Sequence, residues 1–136
     1  MDPKRINRAG DRIPVLWDVP LPGIINQQRL HDLTSGDAAL GRELLALFFD
    51  QSILTLRKIR EAADGATRRA AAHALAGSAL AVAAQGVALA AGLIAGLPDH
   101  AGEAEWLDAV TDLHAQVAQA RAAIAHLLTE QVGGSA

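Results

Sequence analysis

The chain has 136 residues, of which 51% are hydrophobic, 20% charged and 3% aromatic. That length suits one domain around one core, and so much alanine and leucine argues against a disordered or all-β chain. A formal net charge of -3 supplies no basic footprint for neutralising phosphates, so nucleic acid is not an expected partner. The absence of cysteine excludes disulfides, thiol catalysis and cysteine-ligated zinc.

Residues 1–23 read as an irregular arm, because Pro3, Pro14, Pro20 and Pro22 recur too often for a helix or a central strand. Lys4, Arg5, Arg8 and Arg12 make its beginning basic and solvated, whereas Val15, Leu16, Trp17 and Val19 can pack against the body. The arm has no continuous apolar core, so no secretory signal is expected, and the cysteine-free composition fits a cytoplasmic protein. A short helix is expected over residues 24–33, followed by the turn "TSGD" with Asp37 as a helix-starting cap.

From Asp37 to Ala63 the chain runs without proline. Leu45, Phe49, Ser52, Leu56, Ile59 and Ala63 recur at helical spacing, with Leu44, Leu47 and Phe48 widening the stripe. "DG" at 64–65 ends this helix and a second begins near Ala66. A third covers residues 85–97, where Val87, Ala90 or Ala91, Ile94 and Leu97 keep helical spacing, and Pro98 closes it. The last helix, residues 102–130, is the most regular, with Trp106, Val110, Leu113, Val117, Ala120, Ile124 and Leu127 along one side. Residues 70–97 carry no formal charge, a length that raises a membrane span, but Gln85, His73 and four glycines weigh against one and no membrane association is expected. The pattern predicts an all-α protein: an antiparallel up-down four-helix bundle over residues 24–130, entered through a short helix and followed by a frayed tail at 131–136.

Within "AAAHALAGSALAVAA" one position is anomalous. With His73 placed at zero on a helical wheel, Leu75 falls at about 200°, Val82 at about 180°, Ala79 at about 240° and Ala71 at about 160°. The core stripe therefore points away from His73, which is expected on the outside. On the histidine's own side lie Gly77 at about 40°, Arg69 at about -40°, Leu80 at about -20° and Ala76 at about -60°. A glycine inside a helix costs about 0.5–1 kcal/mol relative to alanine, so bare backbone one turn beyond an exposed imidazole implies close approach by something else.

"HALAGSALAVAA" resembles the signature of histidine-containing phosphotransfer domains, close to H-x-L-K-G-S-x-x-x-x-G-A, with His73, Leu75, Gly77, Ser78 and Ala84 at the matching positions. "TSGD" with Leu40, the phenylalanine-containing helix, "DG" ahead of "RRAAAH" and Val87 also follow that family's course, so the similarity covers residues 24–97. Ala76 replaces the family's lysine and Ala83 its second glycine. The resemblance implies that His73 accepts a phosphoryl group from a receiver-domain phospho-aspartate and passes it to another receiver aspartate. Neutral imidazole, with an ordinary pKa of about 6.5, suits that nucleophilic role.

Gly77, Ser78 and Arg69 are then expected to support the phosphoryl group or the partner, Arg69 replacing the missing lysine, while Ala76, Leu80 and Ala84 form a shallow apolar docking patch. The partners implied are response-regulator receiver domains and a hybrid histidine kinase. No cofactor or metal is expected on this chain; Mg²⁺ would sit in the receiver. The sequence holds neither G-x-x-x-x-G-K-[ST] nor a kinase glycine loop, so the chain is expected to carry phosphate as a monomer rather than generate it as an enzyme. His31, His100, His114 and His126 show no metal-ligand spacing. The opposing readings are an unphosphorylated adaptor bundle that binds a partner protein, and a bundle that dimerises.

Overall fold

The computed structural model describes residues 23–135. The irregular arm expected at residues 1–23 therefore lies outside the described residues except for Gly23, as does Ala136. The described residues form five helices and no strand: α1 (Gln27–Leu33), α2 (Ala38–Glu61), α3 (Gly65–Ala81), α4 (Gln85–Ala95) and α5 (Glu103–Ser135). Among them, no helix is long and apolar enough to cross a membrane. The uncharged stretch is split between α3 and α4.

Capping chemistry sets most of the boundaries. Asn26, Asp37 and Asp64 each take an extended conformation before a helix, and their side chains accept from the backbone N–H three residues on, satisfying donors that the first turn leaves free. Consequently α1 starts at Gln27 rather than at 24. Asp64 starts α3 at Gly65, and Ala62, extended with ψ 137, ends α2 before Ala63. The helix ends of α1 and α3 share one device. The Ser35 N–H reaches the Asp32 carbonyl (3.2 Å) and the Gly36 N–H that of His31 (2.8 Å); likewise Ala83 reaches Leu80 (3.2 Å) and Ala84 reaches Ala79 (2.8 Å). These paired bonds need the first residue past the cap in the left-handed region, and Ser35 (φ 53) and Ala83 (φ 61) take it. At the other end, α5 runs through Ser135, so the tail expected at 131–136 is helical as far as that residue. The segment holds no proline, and a terminal glycine weakens a helix by only about 1 kcal/mol.

The longer helices close a ring of contacts, α2 packing on α3 and α5, and α4 on the same two. Leu45, Leu56, Ile59, Leu75, Ile94, Leu113 and Ile124 are fully buried within it, each contributing about 1.5–3 kcal/mol by leaving water. The buried face of α2 is Gly41, Leu45, Phe48, Ser52, Leu56 and Ile59. Phe49, expected in that stripe, is half-buried and lies under Arg121, whose guanidinium carbon is 4.0 Å from the ring centroid and whose Nε donates to the Phe49 carbonyl (3.0 Å). Ala63 and Leu47 are exposed. Arg68 closes the other end of α2, donating to the Ile59 and Ala62 carbonyls at 3.1 and 3.2 Å while stacking on Trp106.

Two outcomes test these boundaries. Asp64 carries a carboxyl held below its ordinary value of 3.8, first by the Thr67 backbone N–H and then by the Thr67 hydroxyl, with Arg69 and Arg68 adding attraction. A depressed folded-state pKa gives stability that is present above the unfolded value and lost as pH falls through the folded one. Asp64→Ala lowers the melting temperature at pH 7, and the gap to the parent narrows as the pH falls below 3.8 in thermal melts followed by circular dichroism. At the α3–α4 corner, Ala83→Gly removes a left-handed alanine but also a buried methyl, so it changes stability by less than about 1 kcal/mol. Ala83→Val, which puts a branched side chain at positive φ, costs about 2 kcal/mol or more in urea unfolding.

Candidate functional site

With Ala72, Leu75 and Ala79 turned inward, α3 presents His73, Ala74, Gly77, Ser78, Leu80 and Ala81 to solvent, and Ala76 is half-buried at the edge. His73 therefore stands where the helical wheel puts it. A Cβ built on Gly77 would meet nothing within 4 Å, so this glycine is not a contact point with a neighbouring helix. It leaves open space one turn beyond the imidazole. The Ser78 hydroxyl donates back to the Ala74 carbonyl at 3.1 Å, which leaves its oxygen lone pairs turned to the outside and its proton engaged along the helix.

Beside this surface runs a groove between α2 and α3, lined by Leu44, Leu47, Phe48, Ala74, Ser78 and Ala81 among others. Three residues of the α3 surface, Ala74, Ser78 and Ala81, form one of its walls, so the groove and the imidazole share a face of the molecule. The α2 wall was not anticipated. Leu47, 56% exposed, looked like a margin of the core stripe, and only the α2–α3 packing makes it a neighbour of α3.

Two expected members of the site stand elsewhere. Ala84 is 0% exposed. It sits behind the α3–α4 corner, its N–H bonded to Ala79 and its carbonyl accepting from Ala88, so it is structural and not part of a docking patch. The apolar patch on α3 reduces to Leu80, 56% exposed, and the edge of Ala76. Arg69 points the other way along α3. Its Nη1 comes within 3.0 Å of a Cβ built on Gly65, one turn nearer the helix start, and donates to the Leu97 carbonyl at 3.4 Å. Its Nη2 pairs with Asp99 at 2.6 Å. The guanidinium thus ties α3 to the α4–α5 connection and does not stand over His73 in place of the lysine that Ala76 lacks.

Ala83 explains the other departure from the signature. The position where the pattern has glycine has a positive φ, which glycine adopts without strain, and alanine is the smallest side chain that still tolerates it. Elsewhere, His31, His100, His114 and His126 are exposed, His126 lying 3.6 Å from Glu130 on its own helix. Among the described residues, no three histidine, aspartate or glutamate side chains gather closely enough to hold a metal ion. No protein-family model matches the chain, and comparison with curated proteins and with solved structures returns no match.

The open space at Gly77 is itself testable. Because a methyl there meets nothing, Gly77→Ala stabilises the fold by about 0.5–1 kcal/mol in urea unfolding. A destabilised variant would mean that the glycine is needed for packing within the molecule.

Proposed function

We infer that this chain is a phosphorelay intermediate with His73 as its phosphoacceptor. The observation that carries the reading is the exposed His73 on α3 with bare backbone at Gly77 one turn away, inside a sequence that resembles the histidine phosphotransfer signature. The closed ring of α2, α3, α4 and α5, joined by short connections, supports an antiparallel up-down four-helix bundle as its frame.

In the proposed step a ring nitrogen of His73 attacks the phosphorus of an aspartyl phosphate on a receiver domain. The P–O bond to the aspartate breaks, a P–N bond forms, the aspartate leaves as carboxylate, and the imidazole gives up its N–H proton to solvent. Transfer onward reverses these changes on a second receiver. The half-exposed Leu80, the edge of Ala76 and the α2–α3 groove provide an apolar collar, and such transient contacts are commonly small, below about 1,200 Å². With Arg69 bound to Asp99, the cationic help for the phosphoryl oxygens falls to the receiver and its Mg²⁺. The partners on this reading are receiver domains and a hybrid histidine kinase, met by a monomer in the cytoplasm.

The test is phosphotransfer from a radiolabelled receiver phospho-aspartate. The parent chain takes up label in an acid-labile, alkali-stable form, and His73→Gln takes up none while keeping the parent's circular dichroism. Label on the His73→Gln variant, or none on the parent, overturns the proposal; an unlabelled parent that still binds receivers through the same face favours the adaptor reading.

A further inference from the structure

Away from the His73 surface, the most exposed large apolar side chains among the described residues are Leu89, at 72%, and Leu93, at 69%. They stand one turn apart on α4, and with Gln85, Gly92 and Gly96 they form its outer face. A Cβ built on Gly92 would meet nothing within 4 Å. The face therefore carries two leucines, bare backbone and no formal charge.

The chain itself contains a segment suited to cover it. Residues 13–21, outside the described residues, place Ile13, Val15, Leu16, Trp17, Val19 and Leu21 around a single charge, Asp18. Pro14, Pro20 and Pro22 favour an extended course, at about 3.1 Å per residue. The point of attachment is close to α4. Ile25 is buried and the Asn26 N–H donates to the Ala83 carbonyl at 3.0 Å, so the chain joins the body at the α3–α4 corner, two residues before α4 begins. Leu89 and Leu93 lie about 6 and 12 Å along the axis from Gln85, whereas six residues of extended chain before Gly23 reach about 20 Å.

We propose that residues 13–21 pack in cis over Leu89 and Leu93 on the outer face of α4. A second copy is the weaker occupant. Two leucines and two glycines offer far less than the roughly 800 Å² per partner of a stable interface, and a tether this short holds the segment at millimolar effective concentration. With the strap on α4, the α3 face bearing His73 stays open.

Trp17 reports the contact, because the chain has two tryptophans and Trp106→Phe leaves Trp17 alone. In the full chain carrying W106F, Trp17 is expected to emit to the blue of the urea-unfolded chain and to resist acrylamide quenching, independently of protein concentration. Adding Leu89→Gln and Leu93→Gln moves the emission to the unfolded position with helical circular dichroism unchanged, while Leu47→Gln, in the α2–α3 groove, leaves it in place. If W106F does not fold, the difference spectrum between the parent and Trp17→Phe gives the same reading. Emission that is already that of the unfolded chain, that ignores the α4 substitutions, that follows Leu47→Gln, or that reddens on dilution overturns the proposal.

Discussion

The burial of Ala72, Leu75 and Ala79 between α2 and α4 decides what α3 shows to the outside. At about 100° per residue, turning those three inward leaves His73, Gly77 and Leu80 no choice but solvent. Only one of the three is large, and the others are alanines that could be exposed at little loss. Leu75, fully buried, therefore fixes the register, with the alanines allowing α2 and α4 to come close. Rotating α3 by one residue would expose Leu75 and sink an imidazole among aliphatic side chains without a hydrogen-bond partner, and both changes are unfavourable.

The same economy governs the cations around the core. Arg68, Arg69 and Arg121 are all half-buried, and each guanidinium donates to a backbone carbonyl of another element. Arg68 closes α2 while resting on Trp106, Arg121 joins α5 to the middle of α2 at Phe49, and Arg69 joins α3 to the segment after α4. Planar, multidentate arginine suits such clasps better than lysine would. Spent on structure, these charges leave the exposed middle of α3 without a cation of its own, and any phosphoryl group carried there depends on the partner for charge.

Much of this was legible in the sequence where large side chains recur at helical spacing. The stripe of α5 from Leu113 to Ile124, the pairing of Leu45 with Leu56 and Ile59 on α2, and the outward placement of His73 all follow from such spacing, because misplacing a leucine or isoleucine is costly. Where neighbours are equally apolar, spacing is silent. Phe48 and Phe49 differ by about 100° on the wheel and either could point inward; in the structure Phe48 is buried and Phe49 lies under Arg121. Ala84 illustrates a second limit. Extending the α3 wheel to it assumes that the helix continues, whereas the chain turns at Ala83 through a positive φ that an alanine does not advertise. Arg69 illustrates a third, since its partner Asp99 lies thirty residues away in a loop whose position only the packing of α4 determines.

The candidate nucleophile stands on a helix anchored at both ends and along its inner face. The start of α3 is held by Asp64 and by the Arg69–Asp99 pair, its end by the paired bonds at Ala83 and Ala84, and its inner face by α2 and α4. Loops are the usual carriers of reactive side chains, but a group that must meet an external phosphate gains from a fixed orientation, because a rigid position spares the ordering of the nucleophile at the moment of reaction. In the interior of α3 Gly77 gives up helix stability, and it does so on the outside, where no neighbour within the described residues benefits. That sacrifice of helix propensity has no return among the described residues, and it leaves open space one turn from the imidazole, the feature on which the proposed role of His73 rests more than on the bundle as a whole.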